Sequence, residues 1–128
     1  MEEKELNREL KNEELEKATG GSGGEESRKV GGYVFYDHVD MYSPVAGQYY
    51  YILVDSKDLY CQGLLKRSTE EEIVVFGIKV MTKRVHIFSY LTDCNDWGTF
   101  LNYEHKGEYG EHTFYGSDVT LYKSRRSA

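Results

Sequence analysis

The chain has 128 residues, 39% of them hydrophobic, with a single proline; that length suits one small domain with one core. Its 22 acidic and 16 basic residues leave a net charge of −6, so there is no broad positive footprint for a nucleic-acid backbone. No apolar run approaches membrane-spanning length and no secretory signal opens the sequence, which excludes a helical membrane protein and leaves a soluble intracellular one, cytoplasmic or nuclear, as the expectation.

Residues 1–18 are almost entirely Glu, Lys, Leu, Asn and Arg, with no glycine, proline, aromatic or β-branched side chain. Such a composition favours helix, and Glu5/Arg8 and Glu13/Lys17 stand at i,i+3 and i,i+4 spacing on it. Leu6 and Leu10 share a face, whereas Leu15 lies nearly opposite Leu6, so the apolar stripe is narrow. An isolated helix of this length is marginal in water. Either Leu6, Leu10 and Leu15 are covered by a receptor, or this is a solvated charged segment.

Gly20-Gly21-Ser22-Gly23-Gly24 follows, within a linker over 19–25. Gly/Ser runs behave as flexible coil, and this one has the look of an engineered joint of the kind that tethers a ligand to its receptor; a natural low-complexity loop is the alternative. The segment before the glycines holds 7 acidic and 4 basic residues, so it and the remainder each carry −3. The chain therefore divides into a helical peptide at 1–18, a linker at 19–25 and a domain at 26–128.

Beyond Gly31 the pattern is β. An aromatic and valine run at 30–36 is followed by 48–54, with Tyr49, Tyr50 and Tyr51 leading into an Asp55-Ser56-Lys57-Asp58 turn. A returning strand is expected at 59–65, then a polar loop from Lys66 to Glu71. Val74, Phe76, Ile78 and Val80 share a face of the next strand, and Met81-Thr82-Lys83 is expected as the hairpin loop to a strand at 84–91. Two more strands are expected at 97–103 and 113–122, joined by a turn around Gly107 and Gly110, with the basic Lys123, Arg125 and Arg126 in a frayed tail. The fold class is thus mainly β, a small antiparallel β-barrel of six to seven strands with a tethered N-terminal α-helical peptide.

The stretch 58–92 resembles a Tudor domain, including the extended Tudor type. Leu59-Tyr60-Cys61-Gln62-Gly63 stands where that family has an aromatic strand of the type WYRA, Val74-Val75-Phe76-Gly77 begins the VFFVDYGN strand, and Thr82-Lys83-Arg84-Val85 through Leu91 follows as the third. Tyr42-Ser43-Pro44 and Tyr49-Tyr50-Tyr51 look like the lead-in of the extended module. Where the family's DYGN contributes to a methylarginine cage, this chain has Ile78-Lys79-Val80-Met81. A lysine there repels a guanidinium and the ring for cation–π attraction is missing, so the cage is degenerate. The resemblance implies an adaptor that works without methylarginine recognition, in a small-RNA pathway and its ribonucleoprotein granules.

Twelve Tyr, five Phe and one Trp are many for one small core. Tyr49 and Tyr51 fall on one strand face and Tyr50 on the other, so aromatic rings either form an interface or pad a twisted sheet. Tyr49, Tyr51, Tyr60, Phe76, Tyr90 and Trp97 are the candidate binding residues of the domain. His38, His86, His105 and His112 match no catalytic or metal motif, and Cys61 and Cys94 lack CxxC spacing, so reduced thiols are the simplest expectation and one disulfide is left open. No catalytic residue, metal ligand or cofactor is expected. The function expected is a non-enzymatic module that binds a short helical peptide of a partner protein, in cis or in a swapped homodimer. The alternative is a small β-barrel holding an apolar small ligand, with the N-terminal helix as tag or lid.

Overall fold

The computed structural model describes residues 27–105 and 109–128; the expected helix at 1–18 with Leu6, Leu10 and Leu15, the whole linker at 19–25, and Gly107 lie outside the described residues. Seven strands form one sheet: β1 (Arg28–Val30), β2 (Tyr33–Val39), β3 (Tyr49–Val54), β4 (Tyr60–Val75), β5 (Ile78–Thr92), β6 (His112–Tyr115) and β7 (Val119–Ser127). All pairs are antiparallel, in the order β1-β2-β7-β3-β4-β5-β6. The fold is mainly β as expected, but the sheet does not close: β1 and β6 are its edges.

Alternation along β3 sorts the core. Tyr50, Ile52 and Val54 join Cys61, Leu65, Phe88, Phe114 and Leu121 in one cluster, while Leu53 packs on the other side with Val30, Phe35, Tyr60 and Tyr122. The first cluster is capped by Phe100 from a short helix, α1 (Trp97–Phe100), which continues as a 3-10 turn over Leu101–Tyr103. This corrects the strand expected at 97–103. Asp96 caps the helix, its carboxylate accepting from the Thr99 backbone N–H at 3.2 Å and from the Thr99 hydroxyl at 2.8 Å.

Four other boundaries differ from expectation. The run at 30–36 is broken by Gly31 and Gly32, both at positive φ, into the β1–β2 hairpin. The stretch expected as one strand at 113–122 is two, β6 and β7, which pair with different neighbours. The basic tail does not fray: Arg125 and Arg126 lie in β7, opposite Phe35 and Val34 of β2. Finally, the polar segment at 66–71 is strand, and Met81-Thr82-Lys83 is no loop but faces Ile73, Glu72 and Glu71 across the β4–β5 ladder. The turn sits at Phe76-Gly77, with φ of 53° and 76°. A two-residue turn with both central residues left-handed suits the strand twist, and Gly77 supplies one of them without strain, whereas 81–83 contains no glycine.

Cys61 of β4 and Cys94 form a disulfide, replacing the reduced thiols expected from their spacing. The Asn95 side chain holds the same loop to β4: its oxygen accepts from the Tyr60 backbone N–H at 3.0 Å, and its amide donates to the Asp58 carbonyl at 2.9 Å.

Candidate functional site

Two surfaces gather the aromatic and apolar side chains outside the main core. In the first, β2, β3 and β4 present Tyr33, Tyr51 and Tyr60 around the guanidinium of Arg125 from β7, at 4.1, 4.9 and 5.9 Å from the ring centroids. Tyr33 stands edge-on to Tyr60 at 6.0 Å, and Phe35 edge-on to Tyr51 at 5.5 Å. Asp93, just after β5, contacts the same guanidinium at 2.7 Å. The Arg125 side chain is 17% exposed; burial works against its charge, but the bond to Asp93 and the nearby tyrosines raise its pKa above the ordinary arginine value. Burial, then the Asp93 charge, pushes the Tyr60 phenol up. The arrangement is a cation cage already filled by the protein's own arginine.

The second surface is the distal half of the β4–β5 hairpin. β4 pairs with β3 only as far as Leu64, and β5 pairs with β6 only from Val85, so beyond these points the two strands have only each other as ladder partners among the described residues. At the base of this arm Glu111 receives Lys66 at 2.8 Å and Arg67 at 3.3 Å; the bond from Lys66 is the main cause that holds its carboxyl below the usual range. Toward the tip Val74, Val75, Phe76, Ile78, Val80 and Met81 are all exposed, Phe76 at 98%.

Of the residues singled out by sequence, Tyr51 and Tyr60 are brought together in the cage, and Phe76 marks the arm's tip. Tyr49 is exposed at the start of β3. Tyr90 is turned outward at a bulge in β5, with φ of 59°, and Trp97 sits on α1 edge-on to His112 at 6.0 Å. These three do not converge on either surface. Tyr33 and Arg125 carry no distinguishing local signal: Tyr33 is one ring of an aromatic and valine run, and Arg125 reads as part of a basic tail.

The histidines do not gather. His105 meets Tyr115 at 3.0 Å and Glu71 at 3.2 Å, while His112 meets Glu104 at 3.1 Å. No group of three His, Cys, Asp or Glu side chains able to hold a metal occurs among the described residues. Ser68 and His86 face each other across β4 and β5, with Oγ 2.9 Å from Nδ1. That is the reach of a nucleophile and its base, but burial, followed by the Arg84 charge, lowers the His86 pKa to about 4, making it a weak base at neutral pH.

No helix among the described residues is long and apolar enough to cross a membrane. Comparison of the chain with protein-family models, with curated proteins and with solved structures finds no match.

Proposed function

We propose that the domain is a non-enzymatic protein-interaction module which captures a short amphipathic helical segment of a partner along the β4–β5 arm. The observation that carries this reading is that Val74, Val75, Phe76, Ile78, Val80 and Met81 are all exposed around the end of a two-stranded ribbon, with Val75 opposite Ile78. Isolated two-stranded ribbons are marginal in water, and a concentration of exposed apolar side chains in one part of a domain suits an interaction site. Leucines of a helix laid across the ribbon would gain cover from these side chains, while Glu72 and Lys79, 3.6 Å apart, stay at its rim. The occupant supplied by this chain is its own 1–18 segment, through Leu6 and Leu10. A flexible tether gives an effective concentration on the order of millimolar, enough to fill a weak site.

A Tudor-like adaptor is part of this reading on the strength of the 58–92 pattern alone. Methylated arginine is not its ligand, since Arg125 fills the tyrosine cage and Lys79 occupies the position of the family's cage residue. The Cys61–Cys94 disulfide favours an oxidising compartment, which sits poorly with granules of the reducing cytosol.

The test keeps the whole chain. A Leu6→Asp/Leu10→Asp variant, whose own segment is disarmed, is titrated with a labelled peptide of residues 1–18, followed by anisotropy. Saturable binding that is lost when Phe76→Ser and Val80→Ser are added supports the module; absence of saturation at millimolar domain concentration overturns it.

A further inference from the structure

The outer edge of β4 is covered only along its first part. β3 pairs with it as far as Leu64, and the last backbone bonds on that side join Leu65 to Gly47 and Gln48, at 2.8 and 2.9 Å. From Lys66 to Val75 the backbone of β4 bonds only to β5 among the described residues. A strand edge with unpaired N–H and C=O groups is a template for another strand, and a ribbon of two strands gains stability when its sheet is widened.

The side chains along this edge say which strand fits. Lys66-Arg67-Ser68-Thr69-Glu70-Glu71-Glu72 runs from basic to acidic. Laid antiparallel against a second copy of itself about Thr69, it sets Arg67 opposite the partner's Glu71, Lys66 opposite the partner's Glu72 and Thr69 opposite its own counterpart. By symmetry each charge pair occurs twice, and opposite charges and Thr–Thr pairs directly across a ladder are favourable. The groups have capacity for this. Arg67 is exposed and spends two of its five donors on Glu111, at 3.3 and 3.4 Å, and a carboxylate has acceptor sites beyond the one Glu71 turns toward His105. Other self-pairings of the arm fail on charge. A register that overlaps the whole free edge of β4 puts Glu70 opposite the partner's Glu71, and the free edge of β5 laid on itself about Met81 puts Lys79 opposite the partner's Lys83; like charges so placed are destabilising.

We propose that the free edge of β4 is a homodimer interface, in which the arms of two copies join antiparallel about a twofold axis at Thr69. The product is a four-stranded arm in the order β5-β4-β4-β5, with the same patch used on both copies. Past Glu72 each strand runs beyond the partner's free edge, and the shift in register between Ile73 and Val74 is the place where it turns out of the ladder. Each tip then lies beside the partner's 47–49 segment, close to Val45 and Tyr49, both exposed in the single copy. The pairing uses an edge of the ribbon and so goes beyond helix capture, which uses a face.

The test is sedimentation equilibrium of the full chain up to about 1 mM, with the backbone spectrum checked for each variant. The parent should form a reversible dimer. Arg67→Glu and Glu71→Arg should each weaken it by about tenfold or more, and the two changes in one chain should restore it, because the reversed charges again face each other across the axis. Leu6→Asp/Leu10→Asp should leave the dimer intact, which separates edge pairing from exchange of the 1–18 segment. A second measurement does not depend on charge: under mild oxidation Thr69→Cys should cross-link two copies through residue 69, since a residue on the axis meets itself within disulfide reach, whereas Lys79→Cys on the other strand should not. A monomer at every concentration overturns the proposal, as does a dimer indifferent to both single charge changes, one lost with Leu6 and Leu10, one that the double charge reversal fails to restore, or Thr69→Cys cross-linking no faster than Lys79→Cys.

Discussion

Arg125 and Asp93 meet at 2.7 Å, and this contact joins two features far apart in sequence. Asp93 is bonded to Cys94, whose sulfur is fixed to Cys61, next to the Tyr60 ring that faces the Arg125 guanidinium. The last strand of the sheet and the loop after β5 are thus tied together around one cation among three tyrosines. Arg125→Met keeps an apolar stem and removes the charge, the bond to Asp93 and the ring attraction. Because Asp93 is 42% exposed, water can take over its solvation, and the loss should be about 1–2 kcal/mol. Urea unfolding reads it as a lower midpoint; an unchanged midpoint means the cage is ornamental to stability.

The disulfide closes a loop between residues 33 apart in sequence. Constraint of the unfolded chain by a loop of that length is worth about 3–4 kcal/mol. Cys61→Ala/Cys94→Ala, or a strong reductant, should lower the unfolding free energy by that order. Identical midpoints with and without reductant would rule the constraint out.

His86 ties stability to pH. Its ordinary value is 6.5 and its folded value about 4, so below pH 6.5 the unfolded chain takes up a proton that the folded one does not. Stability is therefore full above pH 6.5 and falls as the pH drops toward 4, by about 3 kcal/mol in all for this one group. Unfolding curves at pH 7, 5.5 and 4 should show the decline, and His86→Phe should flatten it. A slope that is the same in both proteins assigns the decline to other groups.

Gly63 leaves no room for a side chain. An added methyl would lie 2.9 Å from Leu91 Cδ2 and 3.2 Å from both Ile52 Cδ1 and Phe88 Cδ1. Gly63→Ala should cost about 1–3 kcal/mol by overpacking. A thermal midpoint equal to the parent's would mean that the sheet opens at this point without strain.

Phe76 should trade stability against binding. An aromatic residue at φ of 53° is strained where Asn is tolerated, and Asn-Gly is the favoured pair for this turn. Phe76→Asn should raise stability by up to about 1 kcal/mol, yet weaken capture of the 1–18 peptide severalfold by removing the tip's largest apolar group. If affinity is unaffected, the tip is not where the segment lies.

Period-two alternation was enough to identify the strands around Tyr49–Val54 and the split of Tyr50 from Tyr51, because one face of β3 must be buried whatever it packs against. Composition likewise announced a mainly β domain and an excess of rings. Three outcomes depended on contacts distant in sequence. The charged run at 66–71 reads as a loop, but Glu70 and Glu71 find Arg84 and Lys83 opposite them, and the paired backbone makes it strand. Strict alternation from Leu121 would put Arg125 on the face of the first core cluster; the phase shifts beside Asp37, whose φ is 61°, and Arg125 turns to the tyrosines instead. The pairing of Cys61 with Cys94 needed the β4–β5 register and the Asn95 clasp to bring the two together. Local pattern determined strands with one buried face such as β3, since that burial is a short-range demand; tertiary contacts decided that 97–103 became helix, which polar residues became strand, which cysteines met and which cation the tyrosines enclose.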